Sequence, residues 1–202
     1  MNKQAIFLRK QEERIAKGIY AIFRKQEKEL ISILEREIKS YEIKSIEDDV
    51  RSFIENIRSA IPEYLFSSLQ YTMKQAYAQA YKPFSTFLKD YKKNLVFNIE
   101  TEPAVRFLRS METLHLSERD GSIFQTTKKE ILTILTDGVK LGKSYTQIAK
   151  EIRETQPFVF SKSRAQLIAV QETGQAYGWA NFEPAREMQN RGYKMEKKWN
   201  TV

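Results

Sequence analysis

The chain of 202 residues contains no cysteine and a single histidine, His115. The absence of cysteine excludes disulfide bonds, thiol catalysis and cysteine-ligated zinc within these residues. A single histidine also excludes any mechanism that needs a pair of histidines. Because His115 lies between Leu114 and Leu116 and lacks co-ligands, we expect it to be a structural side chain, either hydrogen-bonded or exposed.

The sequence also lacks several signatures of catalysis and of membrane insertion. It has no Walker loop, dinucleotide-binding glycine pattern, His-Glu-x-x-His motif or nucleophile elbow, so we expect neither an enzyme nor a protein with a cofactor or a small-molecule substrate. No uncharged apolar run reaches the roughly 18 residues of a transmembrane helix, so we expect no membrane partner. The first ten residues do not resemble a secretory signal, which predicts synthesis in the cytoplasm.

Glycine and proline are scarce, with seven and five residues, and this favours long helices. In residues 1–100, apolar side chains recur at three- and four-residue steps, as expected for amphipathic helices. Pro62 suits the first turn of a third helix, and Pro83 should end that helix near Tyr81. The apolar pattern exceeds what one small core should need, so we expect these residues to form a helical arm that mediates assembly.

Residues 101–202 predict a second, compact helical domain. Pro103 opens a short helix that should end near Leu116, and Gly142 and Ser144 separate two further helices. The last helix should begin at Ser161 or Ser163 and end near Phe182, because Pro184 marks a break. The helix over residues 122–141 should turn four apolar side chains inward: Ile131, Leu132, Leu135 and Val139.

Two segments favour an extended conformation, residues 95–99 and the alternating tail from Tyr193 to Trp199. The tail looks like the first strand of a small sheet. The predicted fold class is therefore mainly α, with a long helical N-terminal arm and a compact helical domain that ends in a short β element.

The net charge of +8 favours an anionic partner such as nucleic acid. Basic residues are interleaved with acidic ones along most of the chain, so a solvated helical surface is an equally good interpretation. Near the end, however, cations alternate with aromatic side chains, a mixture that can hold phosphates and stack on bases. The alternative is an exposed basic strand with Trp199 in a small core. The candidate DNA contacts are Arg186, Arg191, Lys194, Lys197 and Lys198.

Three short motifs follow one another between residues 142 and 201. The first is Gly-x-Ser at the start of a helix that bears Ile-Ala. The second is Ser-Arg-Ala followed by Ile-Ala-Val-Gln-Glu-Thr, and the third is Gly-Tyr followed by Lys-Lys-Trp-x-Thr. Their order and spacing resemble the head morphogenesis (minor head protein) family of tailed bacteriophages over about residues 118–202. Members typically carry Ile-Ala-Arg-Thr-Glu-Thr, so Val170 and Gln171 depart from that pattern.

The resemblance implies a virion protein that lies in the capsid interior at the portal vertex and is present in the host cytoplasm during assembly. It implies portal protein and other head proteins as partners, with double-stranded DNA as a further candidate, and a role in procapsid assembly and DNA packaging or delivery. A stand-alone helical DNA-binding protein is the alternative. The residues that carry the resemblance are Ser163, Arg164, Ala165, Ile168, Ala169, Glu172, Thr173, Gly178, Gly192, Trp199 and Thr201.

Arg164 and Glu172 are the polar pair within the second motif. They are eight residues apart, about two helical turns, so they share a face but are too far apart to pair directly. They could contact the portal or DNA. Alternatively, each caps or bridges to a neighbouring helix, with Glu172 bound to a backbone amide or a lysine, and we favour this structural interpretation.

Gly174 and Gly178 form a small-residue stretch with Ala176 and Ala180. Such a stretch could dock a helix of a partner protein, or it could pack tightly against the helix that carries Ile148 and Ile152. We expect the intramolecular packing, in which case Gly178→Leu should destabilise the fold.

Overall fold

The computed structural model describes residues 3–36, 43–82, 102–116, 122–190 and 192–194. The regular structure of these residues is helical, which confirms the mainly α prediction. In chain order the elements are α1 (Lys3–Glu35), α2 (Ile43–Asn56), α3 (Ala60–Tyr81), α4 (Glu102–Leu116), α5 (Ile123–Lys140), α6 (Tyr145–Thr155), a 3-10 helix (Phe158–Phe160) and α7 (Lys162–Asn190).

The described residues contain no strand, so the predicted short β element is not supported. Residues 95–99 and 195–202, where strands were predicted, lie outside the described ranges. The backbone amides of the first tail residues form hydrogen bonds with the end of α7. Gly192 has a positive φ of 89°, and its amide donates to Gln189 O, while the amide of Tyr193 donates to Met188 O. These amides therefore cap the end of α7 instead of pairing with a strand.

Local capping residues account for both ends of α5 and for the start of α6. Ser122 accepts a hydrogen bond from the amide of Gln125 at 3.0 Å and begins α5. Gly142 adopts a φ of 72° immediately after α5, the left-handed conformation that glycine tolerates at a helix end. Ser144 and Gln147 form the predicted reciprocal capping box at the start of α6. The predictions for these helix boundaries are confirmed.

The start of α7 is set by Ser161, whose Oγ accepts from the amide of Arg164 at 3.1 Å. The helix then continues through Pro184 to Asn190, so the predicted break near Phe182 is wrong. A proline inside a helix costs about 3 kcal/mol. The surrounding contacts compensate for this cost, because Pro184 is buried with Glu183 and Met188 on the inner face of α7.

The centre of the fold is α7, against which α1 and α3 make their most extensive contacts. The buried apolar residues of α1 and α3 belong to the same core cluster as those of α4 to α7. The apolar face of α1, expected to serve assembly, is therefore used inside the molecule. The domain boundary near residue 100 stays a prediction because residues 83–101 are not described, but helices from both sides of it share one core. Among the described helices, none is long and apolar enough to cross a membrane.

The packing of α5 differs from the prediction at two of the four apolar residues that were expected to face inward. Ile131 and Leu135 are buried, as expected, whereas Leu132 and Val139 are 42% and 51% exposed. Helical periodicity identifies an apolar stripe but does not tell how much of that stripe a neighbouring helix covers. Here α5 packs against α4 and α6, and the far side of the stripe stays open.

Candidate functional site

The second motif lies on α7 and its residues divide into two groups by exposure. Ile168, Ala169, Glu172 and Thr173 are buried. Val170 is 42% exposed, and Gln171 is also exposed. Within residues 168–173, the two that depart from the pattern of the resemblance, Val170 and Gln171, are therefore the exposed ones. The other four residues of this stretch match the pattern and are buried.

Arg164 is buried at the point where four elements meet. One guanidinium nitrogen donates to Val159 O of the 3-10 helix at 2.8 Å. The other donates to Thr127 Oγ1 at 2.8 Å and to Ile123 O at 3.2 Å, both on α5. The guanidinium carbon lies 5.1 Å from the centre of the Phe23 ring of α1, within the range of a cation–π contact. Arg164 thus connects α7 to the 3-10 helix, α5 and α1.

Burial lowers the pKa of Arg164 to about 10, and the nearby Glu130 carboxylate opposes this decrease. The guanidinium is still charged at neutral pH. No carboxylate among the described residues lies within ion-pair distance of it, so carbonyl and hydroxyl oxygens solvate the charge. A buried charge held in this way is costly to disturb. Arg164 therefore stabilises the packing of these elements, and it is too buried to contact DNA or a portal protein.

Glu172 is also held inside the molecule, by a residue to which no sequence pattern connects it. Its Oε1 lies 3.1 Å from Nε2 of His115 on α4. Both side chains are buried, so His115 is a buried side chain with a polar partner. The structural interpretation of Glu172 is supported, but its partner is a histidine and not a backbone amide or a lysine.

Ala165 and Gly178 complete the part of the motif that the structure describes on α7, together with Ser163 at its start. Ala165 is fully buried, whereas Ser163 is exposed, with its Oγ 3.0 Å from Ser161 Oγ. A Cβ atom added at Gly174 or Gly178 meets no described atom within 4 Å. The predicted tight packing of these glycines against α6 is therefore wrong.

The tight glycine contact with α6 comes from a different helix. A Cβ atom at Gly138 of α5 would lie 2.5 Å from Ile148 Cδ1 and 2.6 Å from its Cγ1. Gly138 therefore allows α5 and α6 to approach closely. The sequence signal was present, because Gly138 stands inside a helical pattern, but the small-residue stretch of α7 was the more conspicuous feature.

The structure places only two of the five candidate DNA contacts. Arg186 is exposed, and its guanidinium lies 3.3 Å from a carboxylate oxygen of Glu183. Burial raises the pKa of Glu183, and Arg186 opposes that increase. Lys194 is exposed after the end of α7. Arg191, Lys197 and Lys198, together with the motif residues Trp199 and Thr201, lie outside the described residues.

A second polar contact at the far end of α7 was not predicted. The hydroxyl of Tyr77 on α3 donates to Glu187 Oε2 at 2.9 Å. Burial raises the pKa of Tyr77, and the hydrogen bond to Glu187 adds to the increase. No sequence pattern links two residues so far apart, so only packing between α3 and α7 could have indicated this pair.

Taken together, the described motif residues hold the bundle and do not form a reactive centre. In the described part of the chain, no group of three or more histidine or acidic side chains is arranged to hold a metal ion. Comparison of the chain with models of known protein families, with curated proteins and with solved structures found no match. The family resemblance therefore rests on the motif residues alone.

Proposed function

We propose that this chain is a minor head protein of a tailed bacteriophage. In this role it associates with the portal protein and other head proteins at the portal vertex, inside the capsid. It is assembled into the procapsid in the host cytoplasm and assists DNA packaging or delivery. The role is one of assembly and not of catalysis.

The observation that carries this proposal is that, within residues 168–173, the residues that match the family pattern are buried and those that depart from it are exposed. If the match of these short sequence motifs were due to chance, the matching residues would not be expected to lie on the inner face of a helix. Here Ile168, Ala169, Glu172 and Thr173 match the family pattern and are buried, whereas the departures at Val170 and Gln171 are exposed. Buried positions tolerate fewer residue types than exposed ones. The pattern is therefore the one expected of a family signature that specifies a fold.

The buried contacts of Arg164 and Glu172 offer a physical reason why a family motif would include these two residues. Arg164 satisfies backbone carbonyls of α5 and of the 3-10 helix, and Glu172 pairs with His115 of α4. Both therefore fix how α7 packs with its neighbours. Related chains that keep these residues would keep the same arrangement around α7 while their outer surfaces diverge.

The test is affinity capture of the tagged full chain from phage-infected cells, with identification of the bound proteins by mass spectrometry. The proposal predicts that a portal protein dominates the captured material and stays bound after nuclease treatment. A tagged unrelated helical protein of similar net charge is the matched control. Purified procapsids and virions should also contain the chain at low copy. Its absence from both particles, or capture without any portal protein, contradicts the proposal.

A stand-alone DNA-binding protein is the second candidate, because the net charge is +8 and Lys194 is exposed after the end of α7. It predicts an affinity for duplex DNA that falls steeply with added salt, because each neutralised phosphate releases counterions. Replacing Lys194, Lys197 and Lys198 with glutamine should reduce both the affinity and its salt dependence. If all captured proteins are lost after nuclease treatment, this second candidate is favoured over the first.

A further inference from the structure

An open groove of about 620 Å³ lies between α2 and α5. Its apolar surface comes from Val50 and Ile54 on α2 and from Leu132, Leu135 and Val139 on α5. In the rest of the fold, α2 packs against α1, and α5 packs against α4 and α6. The groove is thus the space left between two helices that each have another neighbour.

A contact near the start of α5 connects this helix to the turn that follows α2. The guanidinium carbon of Arg58, in that turn, lies 4.9 Å from the centre of the Phe124 ring. Arg58 also lies 3.7 Å from a carboxylate oxygen of Glu55 on α2. Arg58 therefore links α2 with α5, the two helices that border the groove.

The open part of the groove presents a helical row of apolar side chains. Leu132, Leu135 and Val139 follow an i, i+3, i+7 spacing along α5, and Leu132 and Val139 are 42% and 51% exposed. Isolated exposed apolar residues need no explanation, but a row that borders a groove marks an interaction surface. An amphipathic helix is the partner that such a groove accommodates.

The charges around the groove are mainly positive. Among the described residues that line it, Arg51, Lys128 and Lys140 are basic and Glu55 is acidic. Glu55 lies near Arg58 and Lys140 lies 4.0 Å from Asp137, but all four side chains are exposed, and such surface pairs contribute little. The rim therefore attracts a partner with acidic residues beside its apolar face.

We propose that this groove binds an amphipathic helix of another protein, with acidic residues flanking the apolar face of that helix. A second copy of this chain is disfavoured because each copy carries a net charge of +8, which adds repulsion to the contact. Nucleic acid is disfavoured because the apolar lining of the groove is mostly aliphatic, and Tyr145 is the single aromatic side chain among its described lining residues, which leaves little surface for stacking bases. This inference is independent of the proposed role in the phage head.

The test uses the full chain and two labelled, helix-forming peptides of about 18 residues, which span about 27 Å as a helix. Both peptides carry the same leucine and isoleucine face, and their flanking positions are glutamate in one and lysine in the other. Fluorescence anisotropy measures the affinity of each peptide. We expect the acidic peptide to bind at least about tenfold more tightly than the basic one, with a preference that shrinks as salt is added.

Three variants locate the contact and report on its charge. Leu132→Glu and Val139→Glu change exposed side chains, so the fold should tolerate them, and each should weaken the acidic peptide by at least about tenfold. Arg51→Glu should reduce the preference for the acidic peptide. Leu167→Glu is the matched control, because Leu167 is an exposed leucine on α7, and it should leave both affinities unchanged.

Four binding results would overturn the proposal. They are equal affinity for the two peptides, no binding of either peptide up to about 1 mM, affinities that the groove variants do not change, and tighter binding of a DNA duplex of about 8 base pairs (about 27 Å long) that Leu132→Glu abolishes. A dimer detected by sedimentation that Leu132→Glu dissociates would instead assign the groove to a second copy of the chain, and would overturn it as well. Circular dichroism of each variant separates loss of the groove from loss of the fold.

Discussion

Nε2 of His115 lies 3.1 Å from Oε1 of Glu172, and both side chains are buried between α4 and α7. This contact joins the single histidine of the chain to the glutamate of the family motif. The two residues are far apart in sequence and belong to different helices. The pairing gives Oε1 of the buried Glu172 a polar neighbour, which lowers the cost of burying it, whereas Oε2 is buried with no hydrogen-bond partner among the described residues.

Removing His115 should therefore destabilise the fold. His115→Ala leaves the Glu172 carboxylate buried without its partner, and we expect a loss of about 2–4 kcal/mol in the free energy of unfolding. Urea denaturation measures this loss. In a double-mutant cycle with Glu172→Gln, the two effects should be strongly non-additive. Additive effects would show that the contact contributes nothing to stability.

Arg164 should resist even a conservative replacement. A lysine ammonium cannot reach Val159 O, Ile123 O and Thr127 Oγ1 together, because the guanidinium places its donors in a fixed fork. We expect Arg164→Lys to reduce the free energy of unfolding by about 2–3 kcal/mol. The control is Arg9→Lys, at an exposed arginine of α1, which should change stability by less than about 0.5 kcal/mol. Equal effects of the two variants would contradict the structural role of Arg164.

Two glycine-to-alanine substitutions should have opposite effects on stability. At Gly138 the new Cβ would lie 2.5 Å from Ile148 Cδ1, and overpacking of this kind costs about 1–3 kcal/mol. At Gly178 the new Cβ meets no described atom within 4 Å, so the higher helix propensity of alanine should stabilise the fold by about 0.5–1 kcal/mol. The melting temperature should therefore fall for Gly138→Ala and rise for Gly178→Ala, relative to the parent protein. A destabilised Gly178→Ala would indicate that an undescribed part of the chain covers this face.

What the sequence predicted well depends on local interactions. Ser144 and Gln147 cap α6 through contacts within one turn, and Pro83 lies immediately beyond Lys82, the residue that caps α3. Such signals need no knowledge of the rest of the molecule. The boundaries of α5 and α6 and the end of α3 follow from them.

What the sequence did not predict depends on neighbours from distant parts of the chain. The exposure of Leu132 and Val139 depends on how closely α2 approaches α5. The pairing of His115 with Glu172, and the continuation of α7 through Pro184, depend on tertiary packing that outweighs local preference. In the candidate site, the motif residues could be identified from the sequence, but their burial could not.

The buried Glu27 of α1 should make stability depend on pH. Burial is the largest influence on its carboxyl group and raises its pKa above the ordinary value of a glutamate, with Arg24 and Lys28 opposing the increase. The folded state then binds more protons than the unfolded state, so the free energy of unfolding falls as pH rises above about 4.5. Glu27→Gln removes this penalty and should melt at a higher temperature than the parent at pH 7.

The advantage of Glu27→Gln should shrink as the pH is lowered towards about 4, where the glutamate is protonated in both states. Glu29→Gln, at an exposed glutamate of the same helix, is the matched control and should show no such pH-dependent difference. Melting curves of the three proteins between these two pH values test the prediction. A difference from the parent that is constant across this range would exclude Glu27 as its cause.

The C-terminal half should not fold correctly when it is produced without the N-terminal helices. The core around α7 includes Phe23 on α1 and Leu69 on α3, both fully or almost fully buried, and α1 and α3 are the helices that pack most extensively on α7. A fragment of residues 101–202 therefore exposes the inner face of α7, together with the guanidinium of Arg164. We expect this fragment to bind a hydrophobic dye and to unfold without a cooperative transition. A fragment of residues 1–100, added in equal amount, should restore helicity and cooperative melting because it supplies α1 and α3. Cooperative unfolding of the isolated 101–202 fragment would instead establish two independent domains with a boundary near residue 100.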